Sequence, residues 1–402
     1  MTRLIPKPKP IDPLDTLTQR IRAKALELGF SKIGLSRANR LGLQNGLEHW
    51  LAAGHQGEMY WMKKNVDKRQ DPSLVLAEAR TILSLGINYY VPVNHSELPQ
   101  HGKISRYAWG TDYHLVFKSR LKELADWIGY TVPSVKKLFY SDTGPIMDKI
   151  WAHKAGLGWI GKHSNLITRD LGSWLFLGEI LLDIELTYDQ EVGNYCGTCQ
   201  RCIEACPTKA IVAPYIVDSR LCISYLTIEL KGPIPRKLRP LIGTRIFGCD
   251  DCQDVCPWNR FAQPSLEKAF YPTAENHSPI LMNLIKITEK DFSHQFRLSP
   301  IKRCGYVGFL RNVAVALGNS GDPKVVSSLE VAIRHPESLV RSHGAWALGQ
   351  IGGANARSVL WKTSHLESDP TVREEIRMAL TASSSHPTQE KRNAHLPYRS
   401  NN

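Results

Sequence analysis

The sequence predicts an α+β protein in three consecutive folded parts, and three observations predict it. Helical and strand-like patterns mix up to about residue 186, as in a mixed α/β domain. Eight of the nine cysteines then crowd between residues 196 and 256. After about residue 305 an alanine-rich helical texture recurs at a nearly constant step. The 402 residues suffice for two or three domains with cores of their own. With 42% hydrophobic and 22% charged residues, the composition is that of a folded globular chain.

Taken in order, residues 1–13 form a basic, proline-rich arm without the apolar stretch of a secretory signal. The mixed domain is expected over 14–186. In it, LDTLTQRIRAKALELGF at 14–30 has apolar residues at helical spacing and stops at Gly29. RTILSLGINYY at 80–90 reads as a strand closed by Pro92, and 111–128 as a second helix. SWLFLGEILLDIEL at 173–186 reads as one buried strand or a strand pair. Glu179, Asp183 and Glu185 interrupt it, so a membrane span is not expected and the cytoplasm is the expected location.

The cysteine-rich part covers 187–265 and a linker region 266–304. Over 305–382, GFLRNVAVALGNSGDP is echoed by SLVRSHGAWALGQIGG and more faintly by PTVREEIRMAL. Aligning Arg311, Arg341 and Arg373 gives steps of 30 and 32 residues (341 − 311 and 373 − 341). Such an array resembles HEAT-like helical repeats. The polar tail 383–402 is expected to be disordered. Lys and Arg number 51 against 38 acids, a net charge of +13. That balance serves solubility or a polyanionic partner, and does not by itself separate tRNA, DNA and a membrane surface.

Nine cysteines in a chain expected in the reducing cytosol point to metal rather than disulfides. CGTCQRCIEACP at 196–207 has the spacing C-x2-C-x2-C-x3-C-P, the bacterial ferredoxin run, whose fourth cysteine ligates the other of two clusters. Three closely spaced cysteines wrap one cubane, and the fourth, followed by Pro207, is expected to start a helix leading away. CDDCQDVCP at 249–257 repeats the ending but lacks one cysteine, which Cys222 replaces. Crossing the fourth ligands gives one cluster on Cys196, Cys199, Cys202 and Cys256, and another on Cys206, Cys222, Cys249 and Cys252. Cys304 is left out. One all-thiolate zinc would leave four of these cysteines without a role, and a radical S-adenosylmethionine site lacks its third cysteine. Two fully ligated [4Fe–4S] clusters conduct electrons, so substrate chemistry is expected in the first 186 residues.

Three stretches there differ from packing sequence. ISRYAWGTDYH at 104–114 interleaves aromatic and polar residues, FYSDTGPIMDK at 139–149 sets Asp142 in a turn, and AGLGWIGKHSNLI at 155–167 is rich in glycine. The glycines would let backbone approach a large ligand, and Asp142, beside a buried cofactor, would donate a proton; each stretch is also compatible with an ordinary turn. Gly156, Gly161 and Lys162 come near a P-loop, but His163 stands where Ser or Thr must hold Mg²⁺. Gly156, Gly158 and Gly161 fit a dinucleotide fingerprint with Glu179 as ribose acid, but WAHKA before them reads as helix where a strand is required.

SDTGP, GWIGKHSNLI, the C-x2-C-x2-C-x3-CPTKAI run, DSRLCISYLTIE and FGCDDCQDVCPWN, in this order, resemble the epoxyqueuosine reductases from about residue 14 to 380. The resemblance implies cobalamin and two [4Fe–4S] clusters that reduce the epoxide of epoxyqueuosine at the wobble position of tRNA. It implies Asp142 as proton donor, and places Tyr107, Lys162, Ser164, Asn165, Ser224 and Asp250 near the corrin or the first cluster. DYHLVF at 112–117 lacks the glycine of the cobalamin D-x-H-x-x-G motif, so His114 is not expected as an axial ligand. The expected partners are tRNA carrying epoxyqueuosine and an external low-potential electron donor, and the expected state is a monomer. Arg311, Arg334, Arg341 and Arg373 are expected to grip RNA, although helical repeats also bind protein. A reductive dehalogenase acting on a small molecule and a non-enzymatic ferredoxin-type carrier remain alternatives.

Overall fold

The computed structural model describes residues 13–42 and 46–382; the expected tail, and the expected arm apart from Pro13, lie outside the described residues. The chain forms two compact units, each drawn from several stretches. The first takes residues up to 93, 106–222 and 250–271, and the second 94–105, 223–249 and 272 onward.

In the first unit a four-stranded antiparallel sheet runs Lys32–Arg37, Thr81–Asn88, Leu175–Leu182, Lys137–Tyr140. All eight residues of Thr81–Asn88 are buried, which is why that strand reads as a continuous apolar run rather than an alternating one. SWLFLGEILLDIEL yields a single strand, Leu175–Leu182. Leu83, Leu85, Ile180 and Leu182 pack with Phe30, Phe117, Leu121 and Leu124 on one face. Helices Pro13–Glu27 and Tyr113–Thr131 cover that face. Each such fully buried side chain stabilises by about 1.5–3 kcal/mol. Gly178 is needed there, because a Cβ would stand 2.8 Å from the Phe117 ring. The opposite face sets Ile82 and Leu181 against Ile146 and Trp151, the latter on helix Asp148–Lys154. That helix precedes the glycine-rich stretch, so the dinucleotide fingerprint lacks its strand.

The cysteine-rich stretch folds differently from expectation in one respect. A short helix, Arg201–Ala205, lies between Cys199 and Cys206, and Cys206–Pro207 enters a turn rather than a helix. A hairpin of Ile211–Ala213 and Ile216–Val217 follows. The backbone N–H of Ala210 donates to Cys206 Sγ at 3.2 Å, so the turn is spent on the sulfur. At the second run, Pro257 does open a short 3₁₀ helix, Pro257–Phe261.

The second unit contains the helices Tyr306–Asn319, Val326–Ile333, Ser338–Ile351, Gly353–Ser364 and Pro370–Ala382. Small residues permit their close approach: a Cβ on Gly318 would stand 2.8 Å from Ala347 Cα, and one on Gly349 2.7 Å from Ala379 Cβ. Two of the four arginines expected to grip RNA are committed to the fold instead. Arg311 is 0% exposed and donates to the carbonyls of Leu226, Leu230 and Gly232 and to Asn312 Oδ1. Arg341 forms a bidentate pair with Glu367 at 2.7 and 3.0 Å. Arg334 and Arg373 are exposed. Cys304 is buried; its thiol donates to the Ile301 carbonyl at 3.1 Å, and burial pushes its pKa up to about 12. Among the described residues no helix is long and apolar enough to cross a membrane.

Candidate active site and cluster ligands

Cys196, Cys199, Cys202 and Cys256 line one cavity of about 70 Å³ in the first unit, together with Lys162, His163, Ile167, Tyr195, Pro257 and Trp258. These four cysteines are the set that the crossed-ligand spacing groups. The loop between them is held from outside: Lys162 Nζ donates to the carbonyls of Gly197 and Cys199, both at 2.8 Å. Burial pushes the Cys256 thiol up to about 11, and Cys196, Cys202 and Cys199 add to the rise. Four cysteines on one cavity can all be thiolates only beside a compensating cation, which an iron–sulfur core supplies; the donor set fits that group.

Cys252 is also raised well above the ordinary thiol value. Burial is the main cause, followed by Cys222 and Asp250, with Cys202 and Cys206 behind them. Cys206, Cys222 and Cys252 therefore gather in the first unit as well, and Cys249 stands directly before Asp250 in the chain.

The acid site is built where strand Lys137–Tyr140 runs into the SDTGP turn. Asp142 adopts φ +57°, a left-handed conformation that Asp and Asn tolerate better than most residues. Its carboxylate is exposed and accepts the Tyr113 hydroxyl at 2.8 Å. Tyr113 is fixed in turn. Its ring stacks on Phe176 at 4.3 Å, and Tyr107 meets it edge-on at 6.5 Å. Burial and the Asp142 charge both raise the Tyr113 pKa, so it remains a donor.

Behind Asp142 lies a closed acidic pair. The Asp142 N–H faces Asp148 Oδ1 at 3.4 Å. Glu179, in mid-strand opposite Ser84 and Tyr140, is fully buried, and burial and Asp148 push its pKa well up. Burial likewise raises Asp148. Neither Glu179 oxygen finds a donor among the described residues, yet Asp148 is within hydrogen-bond reach. That contact closes only when one of the two carboxyls carries a proton. The role of ribose acid considered for Glu179 is thereby excluded.

Two cations flank the acids. Lys149 Nζ donates to Asn165 Oδ1 at 2.7 Å and to the Ser164 carbonyl at 3.1 Å. Its pKa is lowered by burial and raised, in order, by Asp142, Cys252, Asp148 and Cys222. Lys149 thus lies within electrostatic reach of both the acid and the second set of cysteines. Its side chain is exposed to solvent. Arg69, half-buried, feels Asp148 and then Asp142.

The predicted site residues divide accordingly. Tyr107, Asp142, Ser164 and Asn165 belong to the acid site, the last two through Lys149. Lys162 belongs to the first cysteine cavity. Ser164 takes φ +63° and donates to the Tyr215 carbonyl at 2.9 Å. Asp250 is buried and accepts the Arg106 backbone N–H at 2.7 Å, and Arg106 itself sits over the rings of Trp109, Trp174 and Tyr90. Ser224 lies half-buried on helix Ile223–Ile228 of the second unit. His114 is taken by Asp112, at 2.7 Å from Nδ1. The glycines of 155–167 are required by the packing of the chain itself. A Cβ on Gly156, Gly158 or Gly161 would meet Gln190 O, Ile167 O or Ile167 Cδ1 at 2.6, 2.1 and 2.6 Å, so they serve internal packing. Sequence reasoning assigned no role to Tyr113, Asp148, Lys149 or Arg69. The signal available was the pairing of Asp148 and Lys149 just beyond the SDTGP turn.

Three family models match. Residues 69–143 match the model described as "Epoxyqueuosine reductase QueG, DUF1730", 195–259 the "4Fe-4S double cluster binding domain", and 308–381 "HEAT repeats". The epoxyqueuosine reductase of Escherichia coli is 43% identical over 85% of this chain and 91% of its own. That of Synechocystis is 48% identical over 67% and 94%. A crystal structure of epoxyqueuosine reductase with an epoxyqueuosine-modified tRNA-Tyr stem loop superposes with a TM-score of 0.86 at 28% identity, over 92% of this chain and 99% of that one. The epoxyqueuosine reductase of Streptococcus thermophilus gives 0.82 at 30% identity, over 91% and 99%.

Proposed function

Because this chain belongs to the epoxyqueuosine reductase family, we infer that it reduces the epoxide of epoxyqueuosine in tRNA to queuosine, with Asp142 as proton donor. The cofactors are two [4Fe–4S] clusters and cobalamin. The observation that carries the reading is the exposed Asp142 carboxylate, which shares Lys149 as a neighbour with Cys252 and Cys222. The reading draws support from an acid and two of the second set of cysteines having one cation as a common neighbour.

Removing the epoxide oxygen as water breaks both of its C–O bonds, forms a C=C bond, and consumes two electrons and two protons. Cobalamin, when bound, supplies a low-potential centre that delivers the electron pair to the substrate. Tyr107, Lys149, Ser164 and Asn165 offer the polar and aromatic contacts that a large amide-fringed ring requires, and Ser224 and Asp250 are assigned to the same group. Lys162 holds the first cluster's loop. Asp142 Oδ delivers a proton to the departing oxygen while Tyr113 keeps the carboxyl aimed, and the Asp148–Glu179 pair behind it holds a further proton. Arg69 and Lys149 offset the charge left on Asp142.

We assign cobalamin binding to 14–186, the clusters to 187–265, a linker to 266–304 and the repeats to 305–382. The basic balance of the chain suits the phosphates of an anticodon arm, and the base must leave its stack to reach Asp142. An external low-potential donor, a monomeric state and the cytoplasm complete the proposal. The test is anaerobically reconstituted, reduced protein with epoxyqueuosine-containing tRNA, with and without cobalamin. Queuosine should form only with cobalamin; turnover without it would defeat the reading.

A further inference from the structure

His163 lines the cavity of the first four cysteines and is 4% exposed. Its two ring nitrogens are in different situations. Nδ1 accepts the backbone N–H of Asn165 at 3.1 Å, so the ring proton resides on Nε2. Nε2 is buried and has no partner. A buried N–H without an acceptor is costly, and a fold that keeps one implies an acceptor in its working state.

Two other nitrogen groups of the cavity wall already have acceptors within the protein. The Lys162 ammonium donates to the Gly197 and Cys199 carbonyls, and Trp258 Nε1 donates to the Tyr195 carbonyl at 3.3 Å. His163 is thus a cavity-lining residue whose buried ring N–H has no acceptor among the described residues, and the group that four cysteines would hold there carries sulfur acceptors. Gly161 permits this placement, because a Cβ there would stand 2.9 Å from His163 Cε1 and push the ring away.

We propose that His163 Nε2–H donates a hydrogen bond to a sulfur of the cluster held by Cys196, Cys199, Cys202 and Cys256, and so raises that cluster's reduction potential. The direction follows from charge. Reduction adds an electron to the cluster, a donor stabilises the more negative form, and hydrogen bonds to the sulfurs are among the settings of such potentials. His163 is a positioning and tuning residue, not a catalytic one. The inference rests on the cluster assignment alone and needs neither tRNA nor cobalamin.

The test uses the full-length protein with both clusters, in a potentiometric titration followed by electron paramagnetic resonance. Replacing His163→Leu should shift the midpoint of one cluster downward and leave the other unchanged, and His163→Gln, whose amide restores a donor, should recover part of the shift. Unchanged midpoints in both variants at full iron content would overturn the proposal. Because a variant can lose the cluster outright, the wild type is also measured with nitrogen-15 histidine. A histidine nitrogen coupled to the reduced cluster's spin, and abolished only at position 163, supports the bond; its absence overturns it. Loss of four irons on Cys256→Ser, or its lack, separately tests the cluster assignment.

Discussion

Replacing Asp142 by Asn isolates the proton from everything else that Asp142 does. Asparagine tolerates the left-handed backbone at φ +57°, whereas alanine there costs about 1–2 kcal/mol in steric strain and would confuse fold with chemistry. The amide oxygen still accepts the Tyr113 hydroxyl, now as a neutral bond of about 0.5–1.5 kcal/mol in place of a charge-assisted one of about 1.5–3 kcal/mol. Asp142 is exposed, so solvent screens much of that difference and stability should fall by about 1 kcal/mol or less. Turnover loses its acid, and the rate should fall by about 10²–10⁴-fold. The assay is single turnover with enzyme in excess over epoxyqueuosine tRNA, read as digested nucleosides by mass spectrometry, with iron and cobalamin contents measured on the same sample. Tyr113→Phe keeps the acid but releases its aim, and should fall between wild type and Asp142→Asn. An Asp142→Asn enzyme at the wild-type rate would refute the assignment, whatever the melting temperature.

Arg311→Met should destabilise the protein by roughly 3–5 kcal/mol in urea unfolding, because three buried carbonyls lose their donors, while the exposed Arg334→Glu should stay within about 0.5 kcal/mol. Glu179 has a folded pKa raised above its unfolded value near 4.5, so its contribution to stability is full below that pH and is lost as pH rises toward the folded value. Unfolding free energies from pH 5 to 9 should therefore fall less steeply for Glu179→Gln than for wild type, and parallel curves would count against a buried shared proton. Cys304, buried with its pKa at about 12, should resist alkylation in the folded protein, and Cys304→Ser should keep the full iron content.

The cysteine spacing carried more of this molecule than any other signal, because cluster ligation is local. Four thiols must surround one small core, so the steps between them survive folding almost unchanged, and Cys256 joins Cys196, Cys199 and Cys202 at one cavity as the crossed pattern requires. Helices and strands were legible for a similar reason: the apolar runs at 80–90 and 173–186 are central strands buried on both faces. Asp142 was legible because a turn-forming acid beside glycine and proline is conspicuous. Its support was not. Glu179 lies in an apolar strand and looks like an interruption until the register sets it opposite Tyr140, beside the helix that begins at Asp148. Arg311 shows the opposite failure, since a charge at repeat spacing suggests a surface stripe, yet five side-chain hydrogen bonds let it enter the core. The glycines of 155–167 misled for a related reason, because one chain can demand close backbone approach as readily as a ligand can. His163 follows from the same logic. In the sequence it only spoils a P-loop, and it acquires a meaning once the fold satisfies one of its nitrogens and leaves the other buried without a partner on a residue that lines the cavity of the four cysteines.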